Sequence, residues 1–381
     1  MSSAAADNIS IHPIHGKADL RRFVHVPWDI YRDDPAWVAP LKIERRMQLS
    51  EKQNPLFEHL DWQGWLALKG DQPIGRITAQ IDRLRADYHE DKAGYFGMLE
   101  ACDDPAVFAA LLATAEDWLR ARGMTHVHGP FNLNINEECG LLIDGLETPP
   151  VVMMGHAREY AQRHVEALGY TKAVDTLAYW IELDFGHPQA MQRLLQRYAS
   201  RVTVRPIDGK RFTEELEVLR SIFNDAWSNN WGFVPFTEAE FRELGKALRM
   251  MLPDELVQIA EVDGEPAAFI VGLPNLNEAI RDLNGRLLPL GIFKLLWRLK
   301  VRFPKTARVP LMGVRKSHQQ GLIGAALAYR VIGTLQGELY SRGARHCELS
   351  WILENNRGMR DIIESIGGRV YKTYRLYSKA L

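Results

Sequence analysis

Apolar positions along this chain follow two rhythms, every second residue and every third or fourth, and the order in which these rhythms alternate occurs twice. In the first half, Ile9–Ile14 alternates like a strand, and Asp19–Tyr31 and Pro40–Leu49 read as helices. Trp62–Leu68 and Ile74–Ile81 are strand-like runs joined by the turn Gly70-Asp71-Gln72-Pro73, and Tyr95–Glu100 is a further strand. Pro105–Arg122 places Val107, Leu111, Leu112, Ala115, Trp118 and Leu119 on one side of a helix that Gly123 ends. A strand at His126–His128, a helix at His156–Leu168 closed by Gly169, and a strand at Asp175–Leu183 complete the half.

The second half repeats the order. Val202–Ile207 is a strand, and Phe212–Trp227 and Glu238–Met251 are helices. Leu256–Val262 and Ala267–Leu273 form a hairpin about Asp263-Gly264. Arg308–Val314, the long helix Leu322–Arg342, His346–Ile352, the helix Arg357–Ile366 with Gly367-Gly368, and Arg369–Tyr377 follow. A helix, a glycine and an aromatic strand recur at His156–Trp180 and Asn356–Tyr377, about 200 residues apart, which is the spacing of duplicated domains rather than of a solenoid. The predicted fold class is α/β (mixed α+β): two tandem lobes, 1–185 and 186–381, each a mixed, mostly antiparallel sheet flanked by helices.

Composition changes this picture little. The chain has 381 residues, 46% hydrophobic and 25% charged, which is globular and sufficient for two cores. A formal net charge of −1 gives no basic footprint, so no nucleic-acid partner is expected. Cys102, Cys139 and Cys347 are three, far apart and without CxxC or Cys/His spacing, so they read as reduced thiols and no metal site is expected. MSSAAADNIS lacks the layout of a secretory signal, and no apolar run reaches the length of a spanning helix.

Candidate chemistry begins after Arg308–Val314. The sequence Arg315-Lys316-Ser317-His318-Gln319-Gln320-Gly321-Leu322-Ile323-Gly324-Ala325-Ala326-Leu327 is a polar, glycine-bearing loop opening a helix, a junction that aims backbone N–H groups and a positive dipole end at a phosphate. It is neither a Walker A loop nor a GxGxxG fingerprint. It resembles the GNAT superfamily signature Gln/Arg-x-x-Gly-x-Gly/Ala, with Gln319 first and Gly324 last. Leu322 departs from the signature's first glycine, and the adjacent Gly321 is the local substitute.

Further segments resemble a bacterial family of double-lobed GNAT-like proteins that includes bacterial ceramide synthases. They are Gly129-Pro130-Phe131-Asn132, Asn136-Glu137-Glu138, Gly140–Gly145, Trp351–Asn356 and Lys372-Thr373-Tyr374-Arg375. The resemblance covers nearly the whole chain. It implies acyl-coenzyme A as co-substrate, with no tightly bound cofactor. Met312, Val314, Gln319, Gly321, Ile323, Gly324, Ala325 and Asn356 would hold it. It also implies a fatty acyl transfer from the thioester to the amine of a sphingoid-type long-chain base, without a covalent enzyme intermediate. The rival readings are an N-acetyltransferase for a small amine or protein, and a non-catalytic acyl-CoA-binding protein.

Such a transfer calls for a general base near the amine and a donor for the leaving thiolate. Glu348 is the acid within the strand beside the cleft, and the alternative for it is a salt bridge to an arginine. Glu354 at the strand end, His318 beside the loop and Tyr374 as acid complete the catalytic candidates. In the first lobe, Glu100–Pro105 is acidic where phosphate would sit, so that lobe is expected to shape the acceptor pocket. The acceptor candidates are Asn132, Asn136 and Glu137 there, and Trp227, Asn230, Trp231, Asn275, Asn277 and Glu278 in the second lobe. For the asparagines, the competing role is in backbone-bonded turns.

One stretch lies outside the repeat. Leu287–Phe303 reads LLPLGIFKLLWRLKVRF, without an acid. Lys294, Arg298 and Arg302 share a stripe opposite Leu295, Leu296, Leu299 and Phe303, with Lys300 the exception. This is the composition of a helix at an anionic membrane surface, and it is equally that of a strut between lobes. The expected location is cytoplasmic, peripheral to the inner face of the cytoplasmic membrane.

Overall fold

A computed structural model describes residues 9–381; the first eight residues of the leader reading lie outside this range. The chain forms two compact units. The first runs through Thr176 and adds Ile280–Leu287 and Lys372–Leu381; the second holds Leu177–Ala279 and Leu288–Tyr371. The division is therefore not a single cut at 185/186. It falls at 176/177, and the first unit reclaims two later segments.

The first unit contains β1 (Ile9–Pro13), α1 (Gly16–Ile30), α2 (Lys42–Gln48), β2 (Leu60–Lys69), β3 (Gln72–Asp82), β4 (Ala93–Ala101), α3 (Pro105–Arg120), β5 (His126–Gly129), β6 (Leu141–Asp144) and α4 (Glu159–Ala167). It also holds the start of β7 (Thr171–Glu182). β1 to β4 are antiparallel neighbours, and β5 joins β4 in parallel. Phe23, Val24, Leu49, Leu56, Leu60, Leu66, Leu68, Met98 and Leu133 form a core on the α1 side. The opposite face takes α3, whose first turn is capped by Asp104: its carboxylate accepts from the Ala106 amide at 2.9 Å.

The second unit repeats the plan. It contains α5 (Gln189–Arg197), β8 (Val202–Pro206), α6 (Phe212–Trp227), α7 (Glu238–Met251), β9 (Val257–Val262), β10 (Glu265–Pro274) and α8 (Leu276–Ile280). These are followed by α9 (Gly291–Trp297), β11 (Thr306–Val314), α10 (Lys316–Gln319), α11 (Leu322–Ser341), β12 (His346–Leu353), α12 (Arg357–Ser365) and the start of β13 (Arg369–Ala380). β8 to β11 are antiparallel, and β12 joins β11 in parallel, as β5 joins β4. Asp263 and Gly264 both take positive φ, 53° and 90°, the tight hairpin expected between β9 and β10. α11 packs Leu327, Val331, Leu335 and Leu339 against Ala307, Val309 and Cys347.

The capping box Thr237/Glu240 fixes the start of α7. Four short elements, β6, α5, α8 and α10, are additions to the elements read from the pattern. Among the described residues no helix is long and apolar enough to cross a membrane.

Candidate functional site

The site grows from the place where β11 and β12 part. Their Cα partners run from Thr306/His346 to Val309/Leu349, and there the ladder ends while both strands continue. The next residue of β11 is Pro310, which has no N–H to donate. Two parallel strands that share a ladder at one end and diverge at the other leave a notch lined by backbone groups.

α11 begins beyond the end of β11. Gly321 enters it with φ +86°, a conformation that a side chain would strain, so the glycine beside Leu322 supplies the turn. No side chain caps α11, unlike α3 with Asp104. Gly324 fits because a Cβ there would lie 2.4 Å from the His318 carbonyl oxygen and 3.0 Å from that of Gln319. α10 is held by Asp225, which accepts from the Lys316 amide at 2.7 Å, while the Lys316 ammonium reaches Asn229 at 2.8 Å.

Gln319 binds structure rather than open space: its amide donates to the Val314 carbonyl at 2.8 Å and the Ala226 carbonyl at 3.3 Å. Met312 turns its carbonyl to the Trp227 indole N–H at 2.9 Å. Ile323 and Ala325 are half-buried against the core. Asn356 caps α12 by accepting from the Met359 amide at 3.2 Å, and the Glu354 carbonyl accepts from Arg360 at 2.8 Å. His318 is half-buried on α10, its amide bonded to the Arg315 carbonyl.

Glu348 sits on β12 just before the parting point and is fully buried. Ser350 and Tyr371 each donate a hydroxyl to its carboxylate. Arg308, its partner across the ladder, lies 4.0 Å away and binds Ser350 Oγ at 3.0 Å. The arginine bridge and the candidate base are thus the same residue. Of the two hydroxyls bonded to this fully buried carboxylate, Ser350 is buried, whereas Tyr371 is half-buried beside Trp180. Cys347 points to the other face, where burial pushes its thiol up and away from thiolate chemistry.

Tyr374 is not placed with this group. It belongs to the first unit, is fully buried and donates to the Gly155 carbonyl at 3.3 Å. On a strand, residues 371 and 374 face opposite sides, and the one on the Glu348 side is Tyr371.

The polar clusters expected to bind acceptor are engaged locally. Asn275 accepts from the Asn277 amide at 3.2 Å, and Glu278 accepts from the Lys305 and Thr306 amides at 2.9 and 3.0 Å, fixing the start of β11. Trp227 stacks on Phe223 and meets Trp351 edge-on. Asn230 and Trp231 follow in a turn, where the Asn230 amide bonds the Trp227 carbonyl.

In the first unit, Asn132 accepts from the Met98 amide at 2.8 Å and donates to Glu138 at 3.0 Å. The Asn136 amide donates to Asn134 at 2.9 Å, and Glu137 accepts from Gln48 at 3.0 Å. Burial would raise the Glu138 carboxyl, but the paired Arg45 guanidinium and Asn132 outweigh it and hold it below the usual range. The sequence reading passed over Arg308, Tyr371 and Arg45. Arg308 heads a predicted strand, a position where a buried arginine calls for a carboxylate on the adjoining strand.

No family model matches the chain. Protein YghO of Escherichia coli (strain K12) is 50% identical over 366 residues, covering 96% of this chain and 94% of its own. The bacterial ceramide synthase of Caulobacter vibrioides is 48% identical over 376 residues, 98% of each. A tandem GNAT protein from the clavulanic acid biosynthesis pathway shares the fold with a TM-score of 0.56 at 11% identity, covering 98% of both chains. A GCN5-related N-acetyltransferase from Sphaerobacter thermophilus does so at 0.53 and 15%, covering 98% of this chain and 96% of its own. With relatives this similar along nearly its entire length, the chain belongs to the family of the bacterial ceramide synthase and is an acyltransferase built on the tandem GNAT fold.

Proposed function

We propose that the protein transfers a fatty acyl group from acyl-coenzyme A to the amine of a sphingoid-type long-chain base, forming a ceramide-type amide. Support for the acceptor class is the 48% identity, end to end, with a bacterial ceramide synthase. The observation that carries the acyl-CoA reading is the junction of the second unit. There a strand parts from its neighbour at Val309/Leu349 and leads into a helix whose first-turn amides have no side-chain cap. Such a helix start takes a pyrophosphate, and the notch between strands takes a thioester arm. The first unit offers an acid, Asp104, at its corresponding helix, so one coenzyme per chain is expected.

In this reading the neutral amine attacks the thioester carbonyl directly. The C–N bond forms, the C–S bond breaks, and the amine's proton balances the one the leaving thiolate needs. Tyr371 is the hydroxyl that passes it, and Glu348, which accepts from that hydroxyl, sets its proton affinity. A long-chain acceptor resides in a bilayer, so the same reading places the enzyme on the inner face of the cytoplasmic membrane. Incubating the purified protein with a set of acyl-CoAs and amines, and identifying products by mass spectrometry, tests it. An N-acyl sphingoid product is expected from long-chain bases. Acylation of small amines alone would replace the acceptor, and no acylation at all would overturn the reading.

A further inference from the structure

The stretch from Leu288 to Arg302 leaves Leu288, Leu290, Phe293, Leu296, Trp297 and Val301 exposed. α9 continues into a π-helical turn, Arg298–Arg302, and the rod has two apolar faces. One is spent on the second unit: Leu295 and Leu299 are 8% and 6% exposed, and Arg298 donates to the Ala279 carbonyl at 2.6 Å. The other stands out. Leu290, Phe293, Trp297 and Val301 are 70%, 68%, 52% and 70% exposed, at spacings that bring them to one side of the rod, and Leu288 extends the row at 68%. Of the apolar residues that the sequence pattern offers to a membrane, Leu296 and Trp297 are exposed, whereas Leu295 and Leu299 face the protein; of the cationic stripe, Arg298 is likewise turned to the protein and helps to anchor the rod.

We infer that this outer face, Leu288 to Val301, inserts into an anionic lipid surface. Charge decides between a bilayer and a protein partner such as a second copy. Lys294, Lys300, Arg302 and Lys305 are exposed around the apolar row, and residues 287–305 contain no acid. Two copies meeting through this face would set these cations against each other, whereas an anionic bilayer neutralises them and takes up the apolar row together. An exposed Trp within such a row suits the interfacial layer. The anchoring of Leu295, Leu299 and Arg298 presents the row as a fixed blade on the unit that carries Glu348 and α11. The inference rests on the proposed lipid acceptor for its purpose, but not for its test.

The test is flotation of the full-length protein with phosphatidylcholine vesicles, with and without phosphatidylglycerol, at low and high salt and without substrate. Binding is expected only with the anionic lipid and is expected to weaken with salt. Replacing Lys294, Lys300 and Arg302 together by Gln should lower partitioning by about a hundredfold. Phe293→Ser with Trp297→Ser and Val301→Ser should lower it by at least about tenfold without changing the melting temperature, since these side chains touch water. Both variants should keep turnover on a detergent-dispersed amine. That separates a failure of docking from a failure of the proposed activity. Wild-type protein that ignores anionic vesicles, or binds neutral and anionic ones equally, overturns the inference. So does a dimer in sedimentation velocity that Trp297→Ser dissociates, which would make the face a self-interface.

Discussion

Glu348→Gln should reduce acyl-transfer turnover by about 10²–10⁴, the usual loss when a group that sets a catalytic proton's affinity is removed. It should also cost stability. Arg308 is 3% exposed, and neutralising its partner leaves a buried guanidinium without its counter-charge, worth about 3–5 kcal/mol. The two effects are separated by Tyr371→Phe, which keeps the Arg308–Glu348 pair and deletes only the hydroxyl that donates to it. That variant should lose about 1 kcal/mol in urea denaturation and yet fall in turnover as far as Glu348→Gln. Its pH–rate profile should also lose the limb that belongs to the proton-passing group. Wild-type turnover in Tyr371→Phe would assign Glu348 to pairing with Arg308 alone, leaving His318 and Glu354 to carry the proton.

Gly324→Ala should weaken acyl-CoA binding by more than about tenfold, or about 1.4 kcal/mol. Helix propensity argues the other way, since Ala in a helix is favoured over Gly by about 1 kcal/mol. The contacts decide the sign. The new Cβ would meet the His318 carbonyl oxygen at 2.4 Å and the Gln319 one at 3.0 Å, and neither is the flexible end of a side chain. α10 must move, and with it the first turn of α11 that is proposed to hold the pyrophosphate. Titration calorimetry, with thermal melting to confirm the fold, reads both. Unchanged affinity in a folded variant would remove this junction from the coenzyme site. Gly324→Asp adds a carboxylate to the same clash, so the alanine variant is the cleaner probe of shape.

Local chemistry fixed the elements that have strong local signals. Asp263-Gly264 needs two positive φ values, and this pair is what a two-residue hairpin requires, so β9 and β10 were legible. Asp104-Pro105 is an N-cap and first-turn pair, so the start of α3 was legible. The repeated order of rhythms placed most helices and strands of both halves, and the polar stretch before Leu322 marked the passage from β11 to α11.

What remained for the tertiary structure is what depends on residues far apart in the chain. β6 is four residues long and exists because β13, more than 200 residues later, pairs with it. Glu348 finds Arg308 only through a parallel ladder that no local pattern announces, and Tyr371 rather than Tyr374 faces it because a strand turns alternate residues to opposite sides. The rod at 291–302 carries two apolar faces, and a periodicity cannot say which one the protein uses for itself. Burial of Leu295 and Leu299 settles that and leaves Phe293, Trp297 and Val301 outside. Sequence determined most of the helices and strands because those follow from neighbours within a few residues. Pairing across the sheet and the choice between two apolar faces are set by the free energy of the assembled unit, so only the folded chain decides them.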